Sequence, residues 1–172
     1  AGGGWTTRVL LRAPNKPTGP GVRTPALRAM PGQIPRRVFV LSDEAYRGFA
    51  DPSFGDPVHD LLRDFPNVVV RRSMSKAYGL AGRRVGYRVA DPAVVTEVDK
   101  TLLPFAVNLV AQAGALAAIR HRAEYQPKID VIISERERVV SALGGRLAAL
   151  SDAGQLRVFG TRRPDRRNLC GT

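Results

Sequence analysis

Three short, uninterrupted apolar runs constrain the fold of this chain more than any other feature of its sequence. They lie at residues 8–11 (RVLL), 38–41 (VFVL) and 67–70 (NVVV), and none alternates strictly between apolar and polar residues. Such runs are typical of parallel strands that are buried on both faces. Segments with helical character separate them, so the sequence predicts an α/β fold: a mostly parallel sheet with helices on both faces.

The segments between and after these runs complete the prediction. Residues 24–30 are predicted to form a short helix with Thr24 as its N-cap and Pro25 at its first position. Residues 56–65 are predicted to form a second helix with one apolar face. Residues 86–90 suggest a fourth strand, and the remaining predicted helices cover residues 92–100, 108–121 and about 128–143, the last ended by Gly144 and Gly145.

Polar residues follow each of the three apolar runs at the point where the predicted strand ends. Asn15 follows the first, Asp43 the second, and residues 73–76 (SMSK) the third. In open α/β sheets, ligands bind just beyond the carboxyl ends of the strands. These polar groups are therefore expected to share one ligand site.

The third of these clusters has the composition of a covalent, phosphate-binding site. An enclosed lysine such as Lys76 can lose its proton and act as a nucleophile toward a carbonyl group. Ser73, Ser75 and Arg84 add hydroxyl donors and a guanidinium, a set that suits a phosphate. Taken alone, the commoner interpretation of any lysine is a surface residue in a polar loop, and this applies to Lys76 as well.

The other two clusters are weaker signals individually. Asp43 could hold a protonated ring nitrogen or could cap a turn. Tyr46 could reach the same pocket or pack in the core, and Asn15 could be a plain turn residue.

Together, and in this order, the three stretches resemble the pyridoxal-phosphate-dependent aminotransferases of fold type I, nearest to the histidinol-phosphate aminotransferase group and its aromatic aminotransferase relatives. The stretch PNKPTG at 14–19 resembles that family's N-P-N-N-P-T-G, and DEAY at 43–46 matches its D-E-A-Y. The stretch SMSKAYGLAGRRVGY at 73–87 resembles T-F-S-K-A-Y-G-L-A-G-L-R-x-G-Y. The resemblance runs from about residue 8 to residue 150.

The resemblance implies a role for each matching residue. Lys76 would bind pyridoxal 5'-phosphate covalently and later move the substrate's proton, and Asp43 would keep the ring nitrogen protonated. Asn15 and Tyr46 would hydrogen-bond the phenolic oxygen of the ring, and Ser73, Ser75 and Arg84 would bind the phosphate, while Pro17 and Gly19 would shape the loop that carries Asn15.

Two departures from the family pattern introduce a positive charge. Lys16 stands where the family usually has a second Asn, and Arg83 stands where it usually has Leu. No role is assigned to Tyr78, which follows the lysine motif closely.

The resemblance also implies that the large, cofactor-binding domain is incomplete at both ends. Residues 1–150 are predicted to be part of that domain, and residues 151–172 to be a tail foreign to the family, either frameshifted or disordered. The implied reaction moves an amino group between histidinol phosphate, or an aromatic amino acid such as phenylalanine, and 2-oxoglutarate in a homodimer. A catalytically inactive remnant is the alternative.

Charge and cysteine content bear on partners and compartment. The 172 residues carry a formal net charge of +12, which fits either a basic binding module or solvated arginine pairs. The arginines are not interleaved with aromatic residues, which favours solvated faces and no specific nucleic-acid partner. Cys170 is the one cysteine, so neither an internal disulfide nor a cysteine-based zinc cluster is expected, and a reducing cytoplasm is the simplest compartment. No apolar run approaches the length of a membrane span.

Overall fold

A computed structural model of the chain describes residues 7–15 and 22–143 and two short strands further on. The main sheet has four strands in the order β1 (Arg8–Arg12), β2 (Phe39–Asp43), β3 (Val68–Ser73) and β4 (Gly86–Ala90). The first three strands are parallel, and β4 runs antiparallel to β3. The predicted α/β fold and its mostly parallel sheet are confirmed, including the fourth strand.

Helices connect the parallel strands and follow the sheet. Helix α1 (Thr24–Gln33) links β1 to β2, and α2 (Pro57–Asp60) links β2 to β3. Helices α3 (Pro92–Asp99), α4 (Leu109–Arg120) and α5 (Arg122–Leu143) follow β4. Strands β5 (Ala148–Ala149) and β6 (Phe159–Gly160) form a separate antiparallel pair.

The core lies on the sheet face that α1 and α2 cover. Val40, Val68 and Val70 are buried at its centre. The apolar side chains that pack around them come from β1, α1 and the region of α2: Leu11, Met30, Ile34, Val58, Leu62 and Phe65. Alternation along the strands sends the intervening residues to the opposite face, and this opposite face borders the site described below.

Two predicted helix starts differ from the structure. Arg23, one residue before Thr24, occupies the capping position of α1 and makes no side-chain capping bond. Helix α5 begins at Arg122, six residues before the predicted start. It continues through Pro127, although proline lacks the N–H that this position would donate.

The predicted helix over 56–65 is wrong in length. Regular helix ends at Asp60, and the amides of Asp64 and Phe65 both donate to the carbonyl of Leu61, which closes the segment in tight turns. Pro66 disfavours helical geometry at the residue before it. The predicted apolar face is nevertheless confirmed, since Leu61 is buried and its apolar neighbours pack on the core.

Some predictions fall where the structure gives no description. Gly144, Gly145 and most of the predicted tail over 151–172 lie outside the described residues, so the boundary at residue 150 stays a prediction. Of the helices that the structure describes, none combines the length and apolarity needed to cross a membrane.

Candidate functional site

The carboxyl ends of the three parallel strands bring the predicted polar clusters to one edge of the sheet. Asp43 is the last residue of β2, and Ser73 is the last residue of β3. The Ala13 amide donates to the Asp43 carbonyl over 3.2 Å, so the segment that leads to Asn15 leaves the sheet beside Asp43. Asn15 itself is half-buried.

The Asp43 carboxylate is held by two donors. Its Oδ1 accepts the Ala45 amide at 3.2 Å, and its Oδ2 accepts Nη1 of Arg71 at 3.0 Å. The side chain of Asp43 is 22% exposed and that of Arg71 is 58% exposed. Asp43 therefore does cap its own turn, and it also presents an oriented carboxylate at the edge of the sheet.

A close contact between two loops brings Lys76 to Tyr46. The Nζ of Lys76 lies 5.5 Å from the centre of the Tyr46 ring. Gly48 follows Tyr46 in a short 3-10 turn, and a Cβ at Gly48 would lie only 2.5 Å from the Cβ of Ala77. A glycine is needed there for the Tyr46 turn to approach the Lys76 loop this closely. The Lys76 side chain is exposed, so the described residues do not supply the enclosure expected for a nucleophilic lysine.

The three predicted phosphate-binding residues share one groove. Ser73, Ser75 and Arg84 all line an open groove of about 1110 Å³ between the free sheet face and α3. The amide of Ser75 donates to Ser73 Oγ over 3.1 Å, which folds the serine loop back on the end of β3. Arg84 adopts the left-handed conformation, with φ of 54°, and its Nη1 donates to the Ala81 carbonyl.

Gly86 allows β4 to pair tightly beside this loop. A Cβ at Gly86 would lie 2.7 Å from the carbonyl oxygen of Arg72, closer than such contacts occur. Gly86 also lines the groove, so the backbone approach that it permits shapes the wall next to the two serines.

A charged cluster on the core face of the sheet, which α1 and α2 cover, supports this edge. Glu44 is 1% exposed, and Arg72 donates to it at 2.9 Å and to Asp56 at 2.5 Å. Burial raises the pKa of Glu44 above its ordinary value although Arg72 opposes the shift, and Glu44 Oε1 has no hydrogen-bond partner among the residues that the structure describes. For Asp56, burial acts to raise the pKa, but the hydrogen bonds from Arg72 and from the Val58 amide outweigh it and lower the pKa.

In the sequence, Arg71 and Arg72 are distinguishable only as one of several pairs of adjacent arginines. Because neighbouring strand residues point to opposite faces, Arg71 meets Asp43 while Arg72 meets Glu44. The parallel register that places Asp43 opposite Arg71 was the missing information, since it depends on the fold and not on local spacing.

The structure thus brings together most, but not all, of the predicted residues. Lys76 lies near Tyr46, the phosphate-type donors share a groove, and Asp43 lies at the same strand edge. Lys16, Pro17 and Gly19 lie outside the described residues. Tyr78 packs edge-on against Tyr125 of α5, with ring centres 5.4 Å apart.

Comparisons with known proteins agree on one family. The family model for aminotransferase class I and II matches residues 4–159. The chain is 48% identical over 139 residues to an aromatic amino acid aminotransferase of Thermobifida fusca, and 45% identical over 138 residues to one of Rhodococcus opacus. Each of these alignments covers 80% of this chain and 38% of the relative, so the chain spans under half the length of the curated relatives it matches.

A solved structure resembles the fold closely. The histidinol-phosphate aminotransferase of Sinorhizobium meliloti, in complex with pyridoxal-5'-phosphate, superposes with a TM-score of 0.78 at 31% sequence identity. The match covers 86% of this chain and 40% of that protein.

Proposed function

Because the chain belongs to the class I and II aminotransferases, we propose that it carries the cofactor-holding part of a pyridoxal-phosphate-dependent aromatic amino acid aminotransferase. The observation that carries this proposal is the 48% identity to a curated aromatic amino acid aminotransferase. The polar edge of the sheet supports it, because this edge offers donors for a phosphate group and a carboxylate for a protonated pyridine nitrogen.

The donor set at the groove fits the phosphate end of that cofactor. Two hydroxyls, of Ser73 and Ser75, and the guanidinium of Arg84 line one surface, and all three groups form strong hydrogen bonds to phosphate oxygens. Asp43 offers an oriented carboxylate at the same strand edge, which suits a protonated ring nitrogen. The residues present therefore match both ends of pyridoxal 5'-phosphate.

When bound, pyridoxal 5'-phosphate supplies an aldehyde that combines with amines and a ring that accepts electrons. Lys76 would attach to the cofactor through Nζ with loss of water; once the substrate's amine displaced it, the freed Nζ would carry a proton to and from the substrate carbon. Asp43 would hold the proton on the ring nitrogen. Tyr46 and Asn15 would donate hydrogen bonds to the phenolic oxygen, and the serines and Arg84 would fix the phosphate.

The proposed substrates are an aromatic amino acid such as phenylalanine as donor and 2-oxoglutarate as acceptor. Histidinol phosphate is the second candidate donor, and the solved structure of a histidinol-phosphate aminotransferase with the same fold favours it. The family resemblance further suggests a homodimer in the cytoplasm, to be tested by the mass of the folded protein in solution.

The covalent role of Lys76 is tested by chemical trapping. Pyridoxal 5'-phosphate is added to the purified chain, borohydride fixes the adduct, and mass spectrometry of peptides locates the label. We expect the label on Lys76 and its loss in Lys76→Ala, with Lys100→Ala as the matched control because Lys100 is exposed and bonded to Glu97. A label that maps to Lys100 or Lys128 would refute the assignment.

The choice of donor is tested by single-turnover reactions. With the protein in excess, phenylalanine and histidinol phosphate are compared by the rate at which each changes the absorbance of the bound cofactor. We expect phenylalanine to react faster. A faster reaction with histidinol phosphate would replace the aromatic assignment with the second candidate.

A further inference from the structure

Four charged residues form a row across the sheet at its ligand-binding edge. The strand registers align Arg12 of β1 with Asp43 of β2, Asp43 with Arg71 of β3, and Arg71 with Arg88 of β4. Residues that pair laterally share a face of the sheet. We call these four residues the cross-sheet row; it contains three guanidinium groups and one carboxylate, so positive charge is in excess.

Arg71 has a direct bond to the carboxylate of this row. Its Nη1 lies 3.0 Å from Asp43 Oδ2, while the backbone amide of Ala45 occupies Oδ1. A carboxylate offers about four lone pairs, so Asp43 can still accept a third donor. Any such donor then shares Asp43 with Arg71.

The neighbouring charges do not offset Arg71. Arg12 and Arg88 are exposed cations on the flanking strands. The acidic residue of α3 that lines the same groove is Glu97, and it is bonded to Lys100 at 2.6 Å. A cation placed against Asp43 therefore meets a carboxylate whose charge is already balanced.

Building on the proposed function, we propose that Arg71 is a positioning residue that shares Asp43 with the ring nitrogen of the cofactor and so weakens the hold of that nitrogen on its proton. A protonated ring nitrogen is a second cation beside the same carboxylate, and a like charge within a few ångströms disfavours the charged form. In this chain, the electron-accepting strength of the ring is then set by Arg71 as well as by Asp43.

The experiment measures the protonation of the ring nitrogen directly. Pyridoxal phosphate and pyridoxine phosphate, each carrying nitrogen-15 in the ring, are bound to the chain and titrated by NMR. Pyridoxine phosphate lacks the aldehyde, so its binding does not require Lys76. We expect Arg71→Met to raise the pH at which the ring nitrogen loses its proton by about one unit or more, and Arg71→Lys to stay near the parent.

Arg88→Met is the matched control, because it removes the same charge from the same row without removing a bond to Asp43. We expect it to shift the titration by less than half as much as Arg71→Met. Arg71→Gln replaces Arg71→Met if circular dichroism shows that the latter does not fold. A titration unchanged by the neutral Arg71 variant, or moved equally by Arg88→Met, would overturn the proposal.

The trapping experiment separates this inference from the proposed function. If Lys76 is not labelled but the ring nitrogen of pyridoxine phosphate responds to Arg71→Met, the covalent role of Lys76 fails and the inference stands. If Lys76 is labelled and the nitrogen does not respond, the inference alone fails. If neither compound binds, both are refuted.

Discussion

Arg72 donates hydrogen bonds to the carboxylates of Glu44 and Asp56, whose pKa values are shifted in opposite directions. Burial is the largest influence on Glu44 and raises its pKa above the ordinary 4.5, so the folded chain holds this proton where the unfolded chain has released it. The resulting stability is fully present below pH 4.5 and is lost as the pH rises through the raised folded value. The lowered pKa of Asp56 acts the other way: its contribution is present above 3.8 and is lost as the pH falls through the folded value.

Glu44→Gln tests this prediction, because glutamine does not titrate. The free energy of unfolding of the parent and of the variant is measured in urea between about pH 4 and about pH 7. The parent's advantage over Glu44→Gln should shrink as the pH rises. Asp56→Asn is the matched control, against which the parent's advantage should shrink as the pH falls below about 4. An advantage over Glu44→Gln that grows with pH would mean that Arg72 dominates the pKa of Glu44.

Asp43→Asn isolates the carboxylate proposed for the ring nitrogen. An amide accepts the Ala45 hydrogen bond as well, so the turn should be kept, but it cannot stabilise a protonated ring nitrogen as an anion does. We expect borohydride labelling of Lys76 to persist while the single-turnover rate with phenylalanine falls about 100-fold or more. Equal single-turnover rates in variant and parent would remove Asp43 from this role.

For individual residues, the sequence predicted which side chains lie at the strand edge but not which of them form ion pairs with one another. Asp43, Ser73 and Lys76 could be selected because each follows an apolar run, which is local information. The bond from Arg71 to Asp43 depends on strand register, and the cluster of Arg72, Glu44 and Asp56 depends on which face each residue occupies. Register and face are set by packing of the whole sheet, so local spacing could not supply them.

Among the elements, the loop that carries Lys76 is positioned by its contact with the turn after Tyr46. Gly48→Ala should disturb that contact, because the added Cβ would lie 2.5 Å from the Cβ of Ala77. We expect a loss of about 1–3 kcal/mol in the free energy of unfolding and weaker labelling of Lys76. The measurements are urea denaturation and the yield of borohydride-fixed cofactor.

Gly32→Ala is the control for Gly48→Ala. Gly32 lies in α1, and a Cβ there would meet nothing within 4 Å. Alanine in a helix is more favourable than glycine by about 0.5–1 kcal/mol, so this variant should be slightly stabilised with labelling unchanged. Equal behaviour of the two variants would show that the Gly48 contact does not position Lys76.

The boundaries of elements were harder to predict than their existence. The apolar face of residues 56–65 was visible in the sequence, but the early end of regular helix at Asp60 was not. Those side chains reach the core from tight turns as well as from a helix, so an apolar pattern alone does not distinguish the two. The predicted helix start at about residue 128 was also wrong, since α5 begins at Arg122 and continues through Pro127.

Across the whole molecule, the sheet is covered unequally on its two faces. One face packs on α1 and α2, while Leu10 and Phe39 remain largely exposed on the other, where they line the groove. The connection between α3 and α4 also exposes apolar side chains, with Leu103 at 78% and Phe105 at 97%. Exposed apolar surface of this kind favours association, and here it lies beside the groove that Ser73, Ser75 and Arg84 line.

The exposure of Lys76 should make turnover by the 172-residue chain slow. Lys76 and Arg84 are both exposed, so among the described residues the amine that is proposed to react is surrounded largely by water. Aminotransfer depends on positioning the donor and on excluding water, and positioning alone can lower a barrier by several kcal/mol. We therefore expect the 172-residue chain to bind cofactor yet to turn over far below the common enzyme range of about 1–10³ per second. Glutamate release from 2-oxoglutarate, with phenylalanine and then histidinol phosphate as donors, measures this rate. A rate inside that range would show that Lys76 is enclosed in solution and that the residues described here suffice for catalysis.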